Sequence, residues 1–135
     1  MPTITVTTTV NAPLSKVWQY FTQPEHIMNW NNASPDWHCP AATNNLVAGG
    51  EFHYTMAAKD GSYSFDFNGT YEGLEKESVI VYFIEDGRKV IVTFEETAEG
   101  VLVSEVFEPE EVNSMELQKM GWQAILDNFK KYTES

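Results

Sequence analysis

Between Thr3 and Val10 the chain alternates, with Ile4, Val6 and Val10 on one side and threonines on the other. A period of two in a β-branched stretch predicts a half-buried strand. Asn11, Ala12 and Pro13 end it, and Pro13 suits a helix start because its missing N–H would have no intrahelical partner there. Leu14, Val17, Trp18 and Phe21 then recur at i, i+3, i+4 and i+7, which places one apolar stripe on a short helix. Thr22 and Glu25 have the spacing of a capping box around Pro24, and predict a second short helix carrying Ile27, Met28 and Trp30. From Asn31 to Val47 no period is visible, and the Asn, Pro and Ala content reads as a long irregular connection.

Beyond Gly50 the period returns to two. Phe52, Tyr54 and Met56 alternate with Glu51, His53 and Thr55, and Tyr63, Phe65 and Phe67 alternate with Ser64, Asp66 and Asn68. Asp60-Gly61 between them is a hairpin signal, because these residues accept the positive φ angles of tight turns. Asp86-Gly87 and Glu99-Gly100 separate the runs Val79–Ile84, Lys89–Glu95 and Val101–Phe107, for about six antiparallel strands in all. The last segment is helical. Asn113 and Glu116 have capping-box spacing and Val112 with Leu117 a staple spacing, so the helix is expected to start at Asn113 or Ser114. Met115, Trp122, Ile125, Leu126 and Phe129 project onto one broad face, while Leu117, Met120 and Ala124 form a smaller stripe.

Strand, two short helices, a run of antiparallel strands and a long terminal helix give an α+β arrangement with its helices on one face of the sheet. Residues 1–135 are expected to form a single domain. Eight Lys and Arg against twenty Asp and Glu leave a net charge of −12, which argues against nucleic acid or an anionic membrane as a partner. Cys39 is the only cysteine, and the opening MPTITVTT is neither basic nor apolar enough for a leader, so a cytoplasmic location is expected. The longest apolar run, Val79 to Ile84, is too short to cross a bilayer as a helix.

Candidate chemistry is sparse. Asp36, His38 and Cys39 cluster, but only His26 and His53 remain to complete a zinc site, so no metal is expected. Cys39 reads as a buried structural thiol rather than a nucleophile. Alternation turns His53 and Asp66 away from the aromatic face, and no other inward acid or base is identified, so no catalytic residue and no cofactor is expected. The hydroxyls of Tyr54, Tyr63, Tyr71 and Tyr82 remain as groups able to orient a ligand. Gly49-Gly50 precedes a strand and lacks phosphate-loop spacing, and reads as a tight entry into that strand.

Asp36-Trp37-His38-Cys39-Pro40, Gly49-Gly50-Glu51-Phe52 with Met56, Asp60-Gly61, Gly69-Thr70-Tyr71 and Asp86-Gly87-Arg88 together resemble the SRPBCC or START-like superfamily. Phe107-Glu108-Pro109-Glu110 and Gly121-Trp122 with Leu126-Asp127-Asn128-Phe129 extend the likeness over essentially the whole chain. The nearest branch is similar to the C-terminal domain of the heat-shock-protein-90 ATPase activator and is often labelled polyketide-cyclase-like. Asn45 stands where many relatives are expected to carry Asp. The resemblance implies a helix-grip fold, in which a curved sheet wraps the terminal helix and leaves a cavity for apolar or amphipathic small molecules.

On that reading Phe52, Tyr54, Met56, Phe65, Phe67 and Phe94 of the sheet, and Met115, Trp122 and Phe129 of the terminal helix, are expected to line the cavity. Trp18, Phe21 and Trp30 of the short helices are expected at its mouth. Four Trp, six Tyr, eight Phe and five Met supply bulky, adaptable walls. The leading expectation is non-catalytic binding of a lipid or a polyketide- or flavonoid-like molecule. The alternatives are a chaperone-cofactor role, with Leu117, Met120 and Ala124 as a protein-partner or homodimer patch, and a cyclase or aromatase reaction. A continuous void of roughly 300 Å³ or more separates the binding reading from a filled core.

Overall fold

A computed structural model describes residues 2–135. Strand β1 (Ile4–Val10) is followed by helices α1 (Leu14–Thr22) and α2 (Pro24–Trp30). Strands β2 (Trp37–Asn44), β3 (Glu51–Ala58), β4 (Ser64–Glu75), β5 (Val79–Ile84), β6 (Lys89–Thr97) and β7 (Gly100–Phe107) come next, and helix α3 (Met115–Glu134) closes the chain. The strands form one antiparallel sheet in the order β1-β7-β6-β5-β4-β3-β2. The sheet curves into a half-barrel around α3, which is the expected α+β helix-grip architecture.

The sheet has seven strands because the segment expected to be irregular contains β2. Pro40 and the irregular burial of β2 conceal it in the sequence. Both are tolerated because β2 is an edge strand with a register shift between His38 and Ala41, and a proline can sit at an edge or a bulge without removing a ladder hydrogen bond. The Asp60-Gly61, Asp86-Gly87 and Glu99-Gly100 turns fall where expected, with all three glycines at positive φ. The entry to β3 is as tight as Gly49-Gly50 suggests: a Cβ on Gly50 would sit 2.0 Å from the Asn45 carbonyl oxygen. At Asn45 the backbone makes the turn, its carbonyl accepting from the Val47 N–H at 2.8 Å.

Two caps differ from expectation. Thr22 still belongs to α1, and its hydroxyl donates to the Trp18 carbonyl at 2.7 Å, so Gln23 rather than Thr22 precedes α2. Ser114 caps α3, its Oγ accepting from the Leu117 N–H at 3.1 Å, and Val112 stands 89% exposed instead of stapling onto Leu117.

The core is built from β1, β5, β6 and β7 against α1, α2 and the C-terminal half of α3, with Val10, Val17, Val90, Val103, Phe107 and Phe129 fully buried. That half of α3 is fastened along β1: Lys130 Nζ donates to the Thr9 carbonyl at 2.6 Å, Gln123 to the Thr7 carbonyl at 2.9 Å, and Glu134 accepts from the Asn11 N–H at 2.7 Å. Asn128 ties it to the end of α2 through the Trp30 and Asn32 carbonyls at 3.2 Å. No helix among the described residues is long and apolar enough to cross a membrane.

Two glycines make opposite tests of this packing. A Cβ on Gly69 would lie 2.4 Å from the Phe52 ring, whereas one on Gly121 in α3 meets nothing within 4 Å. Gly69→Ala is expected to cost about 1–3 kcal/mol through forced displacement of the ring and of the Phe83 carbonyl, whose oxygen would stand 2.5 Å from the new Cβ. Gly121→Ala is expected to add about 1 kcal/mol, the helix-propensity difference. Chemical denaturation of the two variants checks both signs.

Candidate ligand cavity

Alternation along β3, β4 and β5 aims Phe52, Tyr54, Met56, Phe67, Ile80 and Tyr82 at one face of the sheet, and that face looks toward α3. The backbone of α3 makes its close approaches to β1, α1 and α2 instead. It meets the rest of the sheet through long side chains: Trp122 stacks on Phe107 with centroids 3.9 Å apart, and stands 6.2 Å edge-on to Phe67. What remains between is a cavity of about 380 Å³. That exceeds the roughly 300 Å³ at which small-molecule pockets begin.

The floor is organised by Phe52. Its ring lies over Gly69 and contacts Tyr54 at 4.9 Å, Tyr82 at 5.0 Å, Tyr71 at 5.5 Å and Phe67 at 5.9 Å between centroids. Gln118, Trp122 and Ile125 of α3 form the roof, and Phe21, Thr22, Trp30 and Asn31 close the end near the short helices. Phe65 lines the cavity while remaining 44% exposed, which places it at the mouth. A second depression, about 430 Å³ between the end of β2 and the start of β3, is open and of mixed polarity, with Thr43, Asn44, Glu51 and His53 around it.

Eight of the twelve sequence-predicted residues meet on this cavity: Phe21, Trp30, Phe52, Tyr54, Met56, Phe65, Phe67 and Trp122. Phe21 and Trp30 stand at its closed end rather than at the mouth, Trp30 being only 6% exposed. Trp18, Phe94 and Phe129 lie behind it in the core, where Trp18 meets Phe94 at 5.2 Å and Phe129 meets Trp30 at 5.0 Å. Met115 turns outward and is 46% exposed, because the first turn of α3 leans on the connection from β7 rather than on the sheet. Gln118 makes that contact. Its amide donates to the Glu110 and Asn113 carbonyls at 3.1 and 2.9 Å and accepts from the Glu110 N–H at 2.8 Å.

One inward polar group was not expected from the sequence, a carboxyl. Glu105 on β7 is 8% exposed and lines the cavity. It pairs across the sheet with Val6 and Val92, both buried, so its side chain rises from the inner face among apolar neighbours. Among the described residues nothing hydrogen-bonds to its carboxyl, and no cation lies within ion-pair distance of it. Burial without a partner pushes its pKa up to about 8, so the carboxyl is mostly neutral at pH 7. The expectation that no acid faces inward is therefore overturned. The signal was present: Val101, Val103 and Phe107 share one face of β7, and position 105 lies on it.

Tyr54, Tyr71 and Tyr82 also turn inward, and burial raises all three phenols above their usual range. Tyr54 stands beside Tyr71, whose oxygen accepts from Asn44 Nδ2 at 3.3 Å. Tyr63 is 61% exposed and is not part of the lining. Arg88 reaches the cavity from the β5–β6 turn, held by Asp86 at 2.8 Å and by the Glu108 carbonyl at 3.3 Å. His53 and Asp66 face outward, His53 beside Glu51 at 3.2 Å and Asp66 accepting from Thr55 at 3.2 Å. Cys39 is buried and lies outside the cavity lining, and desolvation raises its thiol pKa, which disfavours the reactive thiolate.

Residues 11–134 match the family described as activator of Hsp90 ATPase homolog 1-like protein. A solution structure of the AHSA1-like protein from Aeromonas hydrophila is 40% identical, with a TM-score of 0.93 over 98% of this chain and 92% of that one. A solution structure of a protein from Cytophaga hutchinsonii is 55% identical, with a TM-score of 0.81 over 98% of this chain and 90% of that one. A crystal structure of a Chromobacterium violaceum protein, 21% identical, shares the fold with a TM-score of 0.88 over 100% and 99% of the two chains. Comparison with curated proteins gives no match.

Glu105 carries a pH signature of stability. Its pKa stands near 8 when folded against an ordinary 4.5, so the folded chain holds the proton more tightly. Stability from this group is fully present below about pH 4.5 and is lost as pH rises to about 8, a fall of about 5 kcal/mol. Glu105→Gln, which cannot ionise, is expected to match the parent near pH 4.5 and to exceed it increasingly toward pH 8, then level off. Thermal melts of both proteins across that range check it; a constant difference would contradict the assignment.

Proposed function

The chain belongs to the activator of Hsp90 ATPase homolog 1-like family, and from that premise we propose that it binds a hydrophobic or amphipathic small molecule in the cavity beneath α3. The observation that carries this is the vacancy itself, about 380 Å³ walled largely by Phe, Tyr, Met and Trp side chains. A lipid tail or a polyketide- or flavonoid-like ring system satisfies such walls by removing apolar surface from water. Met56 and Trp122 adapt to irregular outlines through the flexible thioether and the broad indole face.

Titrating isotopically labelled protein with alkyl alcohols, fatty acids and flavonoids while following amide shifts is expected to give saturable changes on both α3 and the middle strands. Ile125→Trp, whose ring would occupy part of the void, is expected to weaken binding by roughly tenfold or more without loss of the folded spectrum. Absence of saturable shifts across the panel would overturn the reading.

A protein-contact role draws on one further observation: Leu117 and Met120 of the smaller stripe are 55% and 68% exposed, uncovered by the short helices. Met120→Glu is expected to abolish retention of the Hsp90 chaperone on the immobilised protein if that role operates, while sparing small-molecule binding. A cyclase-type reaction gains in Glu105 the inward polar group it requires. Ring closure of a poly-β-ketone that is lost in Glu105→Gln would set catalysis ahead of binding.

A further inference from the structure

Holding an apolar guest makes no use of the polar end of the cavity. Glu105 of β7 and Tyr82 of β5 both open onto the void, and among the described residues neither side chain makes a hydrogen bond or an ion pair. An apolar space that keeps such groups has hydrogen bonds to offer a guest, because a buried polar group left unmade costs free energy. Arg88 lines the same cavity with part of its guanidinium uncommitted. Building on the binding reading, we propose that Glu105, Tyr82 and Arg88, which line one end of the cavity, form a head-group site for the carboxylate of an amphipathic ligand. The tail then lies along Phe52, Phe67 and Trp122.

The surrounding charges favour an anion over an ammonium head. Glu110 also lines the cavity, but its carboxylate is turned back onto the Val112 and Asn113 N–H groups at 2.9 and 2.8 Å, which keep it ionised and engaged. Tyr71 and Tyr82 stay neutral, their phenols raised by burial. From α3 the lining side chains are Gln118, Trp122 and Ile125, none of which titrates. Arg88 is thus the fixed charge turned to the cavity, and Glu105 is the group whose state changes near neutrality.

Calorimetric titration with decanoate, decanol and decylammonium, equal in chain length and different in head, separates the contributions. Decanoate is expected to bind most tightly at about pH 6.5 and to weaken toward tenfold for each pH unit above about 8, as Glu105 ionises and repels it. Decanol is expected to vary little over the same range. Glu105→Gln keeps an N–H donor, so it should retain decanoate binding and lose the pH dependence; Arg88→Gln should weaken decanoate and spare decanol. The proposal is overturned if decanoate and decanol bind alike at low pH, if Glu105→Gln leaves the pH profile unchanged, or if decylammonium binds best and tightens with rising pH. In those cases the cavity still binds and only the head-group assignment fails. If none of the three binds, the binding reading itself falls.

Discussion

Everything distinctive in this chain depends on α3 being held fast along one edge of the sheet and away from its middle. Lys130, Gln123 and Glu134 fasten the helix to β1, and Asn128 fastens it to the end of α2. Farther toward its N-terminus the spacing is set by the Trp122 ring lying flat on Phe107, a stack worth about 0.5–1.5 kcal/mol beyond its buried area. Gln118 then ties that end to the connection from β7. A helix clamped at both ends over a curved surface cannot sink to the floor, and the gap persists because closing it would break the clamps.

The floor is rigid for a related reason. Phe52 rests on the bare backbone of Gly69 and touches four other aromatic rings, so its position is fixed from several sides. The walls near the mouth are freer, since Phe65 is partly exposed. A fixed floor beside a looser entrance suits a space that admits a guest without reorganising the core.

Glu105 sits uneasily in such surroundings. A carboxyl with no hydrogen-bond partner, packed beside Val6 and Val92, lowers stability at neutral pH and contributes nothing to the fold that a valine would not. What it adds is a hydrogen-bonding point in a largely apolar space, close to Tyr82, which in turn feels the charge of Arg88. The same residue thus weakens the protein and equips its cavity, a common association where buried ionisable groups serve a site.

The element order, the strand pattern around the hairpin glycines and the inward faces of β3 and β4 were legible in the sequence, because side-chain alternation and turn chemistry are local properties. Glu105 was legible too, from the alternation of Val101, Val103 and Phe107, but a carboxylate is ordinarily assigned to water and only its burial shows otherwise. Strand β2 was hidden: with Pro40 at its bulge it has no internal pattern, and it is a strand because the edge of β3 was there to pair with. Met115 shows the converse, an apolar residue at a suitable helical spacing left facing solvent because the sheet lies elsewhere. Sequence by itself therefore determined which faces are apolar and in what order they come. Only the tertiary structure decided how far apart two apolar faces stand, since that distance is set by clamps such as Lys130 to Thr9 and Asn128 to Trp30, made between residues remote along the chain.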